Sequence, residues 1–178
     1  LGKEHPDTLT SMSNLAGLLK SKGDYKGAEP LFRRALEVRE RVLGNEHPDT
    51  LNSVNNLAAL LLSKGDYKGA KPLFRRALEA YECVLGKEHP ITLISVNNLA
   101  GLLYRKGDYK GAEPLILRAL EDICKVSCKM GGAHPQLNIF VNNYADCLLK
   151  IGLNGVQMRK RLEAVLKPYG LSADDFVA

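Results

Sequence analysis

Asparagine is the polar residue placed most regularly in this sequence. Asn14, Asn56 and Asn98 recur every 42 residues, and Asn143 follows 45 residues later. Each stands directly before an apolar residue and an alanine. A carboxamide carries two N–H donors and an acceptor, a combination that suits the amide groups of an extended peptide. The same side chains could instead brace neighbouring helices or turns, so the pattern leaves ligand contact and internal bracing open.

The histidines and cysteines favour structural roles over chemistry. All four histidines precede proline, which suits the first turn of a helix, where its missing N–H needs no partner; they are His5, His47, His89 and His134. Cys124 and Cys128 are four residues apart and would share one helix face. A metal site there needs more ligands than the nearby His134. We predict reduced thiols, no metal site and no cofactor.

The composition and motifs indicate a non-catalytic, cytoplasmic protein. There is no nucleophile–base pair, phosphate-binding loop or metal motif, and Gly131-Gly132 is predicted to stop a helix. The net charge of +5 is spread among acidic residues, which gives no basic patch for nucleic acid. No apolar run approaches the roughly 20 residues needed to span a membrane. We therefore predict neither nucleic-acid binding nor membrane insertion.

Internal repeats supply the elements that position the asparagines. The pair Leu-Gly recurs at residues 1, 43 and 85, so the period is 42 residues. Nearly the same sequence occurs from Ser11 to Ala28, from Ser53 to Ala70 and from Ser95 to Ala112. A degenerate copy ends near Gly152. Such a period is typical of solenoids. We predict an all-α, right-handed superhelical α-solenoid of antiparallel helix pairs, whose first helices line a concave face.

Four repeats and a tail account for the chain. Repeat 1 covers 1–42, repeat 2 covers 43–84, and repeat 3 covers 85–130 with a three-residue insertion that lengthens its second helix. A degenerate repeat 4 covers 131–167, with a helix from Val156 to Leu166, and 168–178 forms a tail or cap. The opening Leu1-Gly2 reads as the end of a preceding repeat, so we expect a fragment of a longer protein.

Each repeat has the signals for two helices. In repeat 1 the first helix is predicted from Pro6 to Lys22, with Gly23 ending it and Asp24 capping the next. The second helix is predicted from near Tyr25 to Leu43. Helical spacing assigns these side chains to the core: Leu9, Met12, Leu15, Ala16 and Leu19 in the first helix, and Tyr25, Ala28, Leu31, Phe32, Ala35, Leu36 and Val42 in the second.

These repeated sequences resemble the tetratricopeptide repeat. Ala16, Ala28, Phe32 and Ala35, with their later counterparts, match the small and aromatic signature positions of that family. The 42-residue period, the Leu-Gly-x-Glu-His-Pro-Asp linker and the Asn-Asn-Leu-Ala words are similar to the tetratricopeptide domain of kinesin light chain and its wider relatives. The resemblance covers about residues 1–150.

The resemblance implies a peptide-binding groove. Asn14, Asn56, Asn98 and Asn143 match asparagines that bind cargo peptide in the kinesin light chain family. Asn55, Asn97 and Asn142 are expected at the edge of the groove. Three basic residues, Arg39, Arg105 and Lys150, are implied as its cationic contacts. Thr10, Asn52, Ile94 and Ile139 replace a family lysine, which leaves a preference for acidic peptides open.

The sequence therefore predicts a scaffold that binds an extended protein or peptide segment in the concave groove. Two alternatives remain. The chain could be a structural module that associates end to end, because repeat 1 lacks an obvious polar cap. It could also be the sensor arm of a larger multidomain protein.

Overall fold

The computed structural model describes residue 2 and residues 4–176. Leu1, Lys3, Val177 and Ala178 lie outside the described residues, as do the predictions that fall on them. The described part contains eight α-helices and two short 3₁₀ turns, at Lys167–Tyr169 and Ala173–Asp175. The helices are α1 (Pro6–Ser21), α2 (Tyr25–Leu43), α3 (Pro48–Ser63), α4 (Tyr67–Leu85), α5 (Pro90–Arg105), α6 (Tyr109–Met130), α7 (Leu137–Ile151) and α8 (Gly155–Leu166).

The fold is an all-α solenoid, as predicted, and it divides into two compact units, 1–84 and 85–178. In the first unit, α2 packs against both α1 and α3. In the second unit, α6 packs against both α5 and α7, and α8 packs against α7. Within the described residues, no helix combines the length and the apolar character that crossing a membrane requires.

Histidine caps open the first three helix pairs. The Nδ1 atoms of His5, His47 and His89 accept hydrogen bonds from the backbone two residues on, at 3.2–3.3 Å. In the fourth copy His134 makes the same bond to the Gln136 N–H, at 3.2 Å. Here the prediction of proline in the first turn is wrong, because a turn from His134 O to Leu137 N delays the helix until Leu137.

Short Gly-Asp turns make the two helices of a pair antiparallel. Gly23 has φ +80°, and Asp24 N–H bonds back to the Leu19 carbonyl at 2.9 Å. The Asp24 carboxylate then accepts the Gly27 N–H at 2.9 Å and caps α2. A Cβ on Gly27 would meet that carboxylate at 2.5 Å, so the cap requires glycine there. The same device recurs at 65–69 and 107–111.

Half of the predicted core positions are buried, two are exposed, and four are only partly buried, namely Met12, Leu19, Tyr25 and Leu31. Leu9 is 3% exposed and Ala16 is fully buried, as predicted. Leu15 and Val42 were also predicted to be buried, but they are 50% and 54% exposed. Val42 lies in the last turn of α2, and its counterpart Val84 is equally exposed, so that position belongs to the surface. Leu15 lies on a side of α1 that no described helix covers.

The carboxyl-terminal end is closed by its own tail. The predicted helix near 156–166 is confirmed as α8, with Met158, Leu162 and Leu166 buried. Both 3₁₀ turns pack on α8, and the Ala173 N–H donates to the Glu163 carboxylate at 2.8 Å. The two 3₁₀ turns therefore cover part of α8 in the second unit.

Candidate functional site

The predicted asparagines occupy equivalent places on α1, α3, α5 and α7. Asn14 and Asn56 are exposed, and Asn98 is half-buried. In the part of the chain that the structure describes, these three amides make no hydrogen bond. In the first unit, Asn14 and Asn56 thus keep both donors and the acceptor free, one repeat apart.

Asn143 is used differently. Its Nδ2 donates to the side-chain Oδ1 of Asn97 at 3.2 Å, and this bond joins α7 to α5 inside the second unit. Two residues predicted for ligand contact therefore bond to each other. Bracing of neighbouring helices, the alternative left open by the sequence, is what the geometry shows for this pair.

Asn55 also makes a hydrogen bond within the chain, to Tyr81. Tyr81 is 2% exposed, its hydroxyl donates to Asn52 Oδ1 at 3.1 Å, and its oxygen has a side-chain hydrogen bond with Asn55. Burial raises the pKa of Tyr81 above its usual value. This cluster joins α3 to α4, so Asn55 is half-buried at the edge of the surface that carries Asn56.

Arg39 is a buried cation held by neutral groups. It is 8% exposed, and its Nη1 donates to the Ser53 hydroxyl at 2.6 Å. The hydroxyls of Ser13 and Thr10 lie 3.4 Å from its two Nη atoms. No carboxylate of the described chain forms an ion pair with it. Arg39 thus places an uncompensated positive charge among α1, α2 and α3, and it contacts Thr10, which precedes Asn14 by one helical turn on the same side of α1.

A pocket of about 170 Å³ lies in the second unit, lined by Asn97, Gly101, Tyr104, Arg105, Ile116, Asn143 and Asp146. Typical ligand pockets hold about 300–1,000 Å³, so this one suits a single side chain. The Tyr104 hydroxyl donates to the Asp146 carboxylate, which raises the pKa of Tyr104 to about 12. A Cβ added at Gly101 would meet only open space.

The two remaining basic residues are surface cations. Arg105 and Lys150 are exposed and have no ion-pair partner among the residues described. Arg105 lines the pocket of the second unit, whereas Lys150 does not. Both are available to an anionic ligand, but the structure brings only Arg105 together with the predicted asparagines.

Sequence reasoning missed three features of this surface. It did not find the hydroxyl cluster around Arg39 or the pairing of Asn143 with Asn97. It also did not find the bond of Tyr104 to Asp146. No repeat signal marks that pair, because repeats 3 and 4 are offset by 45 residues and Tyr104 and Asp146, 42 residues apart, do not occupy equivalent positions.

The cysteines of the described chain form neither a disulfide nor a metal-ligand cluster. Cys124 and Cys147 are fully buried, and burial raises the pKa of their thiols to about 12 and about 11. Cys83 and Cys128 are exposed, and all four are free. Among the described residues, no three metal-ligating side chains come together.

Stacked helix pairs with recurrent amides on their first helices define a helical-repeat protein. The chain belongs to the tetratricopeptide repeat family, whose model matches residues 7–82 and 53–122. Members of this family generally serve as protein–protein interaction scaffolds. No match is found among curated proteins.

Solved structures share the fold. The chain is 22% identical to the kinesin light chain-like repeats of Podosopora anserina, with a TM-score of 0.76, covering 93% of this chain and 74% of that chain. A single-residue variant of that protein matches with a TM-score of 0.75 and the same identity and coverage. BtubC (BKLC) from P. vanneervenii gives 0.74 at 22% identity, covering 96% of this chain and 65% of that chain. The resemblance to kinesin light chain-like repeats is thereby confirmed at the level of the fold.

Proposed function

We propose that this chain is a non-catalytic scaffold that binds an extended peptide segment of a partner protein. The observation that carries the proposal is the pair Asn14 and Asn56, exposed amides one repeat apart that have no partner within the described chain. Amides so placed can hold the N–H and C=O groups of a peptide whose own backbone is unpaired. Binding occurs on the surface of the first helices.

The electrostatics support a ligand with an acidic residue. Arg39 contacts Ser13, which directly precedes Asn14, and Thr10, which lies one turn before it, and it is surrounded by hydroxyls rather than carboxylates. A buried cation is stabilised by a nearby anion, since its own hydration is largely lost. A carboxylate of the ligand placed beside Thr10 and Asn14 would supply that anion. Arg105 gives the second unit a further cation beside its pocket.

The test is capture of extended peptides by fluorescence polarisation, using a library in which acidic and amide side chains are exchanged. The double substitution N14A/N56A is expected to weaken the affinity for the tightest-binding peptide at least tenfold. The thermal midpoint of unfolding should stay within a few degrees of the wild-type value. Asn138→Ala, which removes an exposed amide of α7 outside the repeated positions, is the matched control. Unchanged affinity in N14A/N56A, or an equal loss in the control, would refute the proposal.

The free cysteines support a cytoplasmic location for this function, because disulfides are rare in the reducing cytosol. End-to-end self-association is a weaker candidate. Leu15 and Leu18 are open on α1, but the opposite end of the chain is covered by the 3₁₀ turns on α8. Sedimentation over a range of concentrations distinguishes a monomeric scaffold from an assembling module.

A further inference from the structure

The pocket of the second unit, between α5 and α7, has polar groups that the earlier repeats lack. Asp146 stands where the three earlier repeats have glycine or alanine. Arg105 stands where the first two repeats have serine, and Tyr104 stands where they have lysine or leucine. All three line the pocket. Its polar lining is therefore a feature of this unit rather than of the repeat.

Two amides leave hydrogen-bonding groups open at this pocket. Asn143 and Asn97 both line it, and the Asn143 Nδ2 donates to the Asn97 Oδ1 at 3.2 Å. Within the described chain, neither the Nδ2 of Asn97 nor the Oδ1 of Asn143 has a hydrogen-bond partner. The pair therefore presents a donor from α5 and an acceptor from α7.

The two charges of the pocket oppose each other without forming an ion pair. Asp146 accepts a hydrogen bond from the Tyr104 hydroxyl, whereas Arg105 makes no hydrogen bond or ion pair with the residues that the structure describes. One positive and one negative group leave the lining with no net charge. An acidic side chain in the pocket would be repelled by Asp146, and a basic one would be repelled by Arg105.

A neutral side chain with both a donor and an acceptor matches this lining. An apolar side chain would displace water from the open amide groups and leave them without partners, which costs free energy. A carboxamide donates through its NH₂ group and accepts through its oxygen, so it meets acceptors and donors together. Ile116 of α6 is 4% exposed and adds an apolar part to the lining, against which the methylene groups of glutamine can pack.

We propose that the pocket of the second unit binds a glutamine side chain of the ligand peptide. The inference rests on the proposed function, because the pocket lies between two first helices and has room for a single side chain. The NH₂ group of the glutamine donates to Asp146 and to the Oδ1 of Asn143. Its oxygen accepts from Arg105 and from the Nδ2 of Asn97. The second unit thereby selects glutamine over acidic, basic and apolar residues in an extended segment.

The probe is a set of four host peptides, Ac-Ala-Ser-Ala-X-Ala-Ser-Ala-NH₂, in which X is glutamine, glutamate, lysine or leucine. Each peptide is titrated to millimolar concentration into the full chain, isotopically labelled for NMR, and affinity is read from the backbone amide shifts. The glutamine peptide is expected to bind at least fivefold more tightly than the other three, with its largest shifts at Gly101, Arg105 and Asp146. Equal or tighter binding of another peptide, or no saturable shift with glutamine, would overturn the proposal.

Charge-changing variants distinguish a binding role from a structural one. Asp146→Asn leaves Arg105 as the only charge of the lining, so the glutamate peptide should become the tightest of the four. Arg105→Gln leaves Asp146 alone, so the lysine peptide should become the tightest. Lys150→Gln is the matched control, because it removes an exposed cation of α7 that does not line the pocket, and glutamine should stay preferred. The same order of preference in all three variants would refute the assignment.

This result can fail separately from the proposed function. If N14A/N56A weakens the library peptides as expected but the host peptides show no preference for glutamine, only the pocket assignment is wrong. If N14A/N56A leaves those affinities unchanged while the host peptides follow the predicted charge dependence, the pocket assignment stands and the amide site of the first unit is wrong.

Discussion

At the scale of single residues, the repeated asparagine occurs in two different settings in this chain. Asn14 and Asn56 are open to solvent, whereas Asn143 and Asn97 bond to each other across two helices. For Asn56 the difference arises from the neighbour: Ser13 occupies the position in the first repeat that Asn97 occupies in the third, and its hydroxyl faces Arg39. We therefore propose ligand contact for the first unit ahead of the second.

Arg39 gives a residue-scale prediction. Arg39→Met preserves most of the buried volume and removes the charge, so stability should change by less than about 2 kcal/mol, in either direction. The preference for a peptide containing Glu over the same peptide containing Gln should disappear. Paired titrations of the two peptides measure this preference. A preference that survives in Arg39→Met would place the acid-binding group elsewhere.

Thiol reactivity gives a second residue-scale prediction. Burial disfavours the thiolates of Cys124 and Cys147, so neither should react with an aromatic disulfide reagent in the native chain at pH 8. Cys83 and Cys128 should react quickly. Counting released chromophore before and after unfolding should give about two and then four thiols. Four thiols reacting at once would show that the second unit opens readily.

At the scale of elements, equivalent helices differ in burial because burial depends on the neighbour. The periodicity of α1 matches that of α3, yet Leu15 is half-exposed and Leu57 is buried. Periodicity fixes which residues share a side of a helix, and it predicted the bounds of α2 and the cap at Asp24 correctly. It cannot tell whether another helix lies against that side, so the exposure of Leu15 was missed.

The contact of α2 with α3 gives an element-scale prediction. Hydrogen bonds from Lys64 and Arg33 hold the pKa of Glu29 below its usual value. A lowered carboxyl pKa stabilises the fold above the unfolded pKa, and this contribution is lost as the pH falls through the folded pKa. Glu29→Gln should lower the free energy of unfolding by roughly 0.2–1 kcal/mol at pH 7. The difference from wild type should shrink as the pH falls through the usual carboxyl range and vanish below the folded pKa of Glu29.

Urea titrations at several pH values measure the effect of Glu29→Gln. Glu37→Gln is the control, because Glu37 pairs with Arg34 within α2 alone and does not join two helices. Its loss should be smaller than that of Glu29→Gln at pH 7. A loss for Glu29→Gln that stays constant from pH 7 to pH 3 would contradict the assigned ion pair.

At the scale of the whole molecule, the repeat period determined the architecture and the sequence order of the helices. The finer surface could not be predicted, because it depends on which side chains meet across helices. The bond of Tyr104 to Asp146 and the hydroxyl shell of Arg39 both join residues from different helices. Such pairs are set by packing distances that a single sequence does not give.

Overpacking tests the two units separately. Ala58 and Ala100 are equivalent and fully buried, one in each unit. Leucine at either position should destabilise its own unit by about 1–3 kcal/mol or more, because a close helix contact must open. Hydrogen exchange should lose protection within residues 4–84 for Ala58→Leu and within 85–176 for Ala100→Leu. Unchanged protection in both variants would contradict the assigned packing.

The Gly-Asp turns carry a consequence for evolution. Each turn is completed by bonds within a few residues, such as Asp24 to Gly27, and is repeated at 66 and 108. Unequal recombination that adds or deletes 42 residues between such turns would join two copies without altering either turn. A gene of this kind can therefore lengthen or shorten its product in whole repeats, so that the number of repeated asparagines changes in steps of one helix pair.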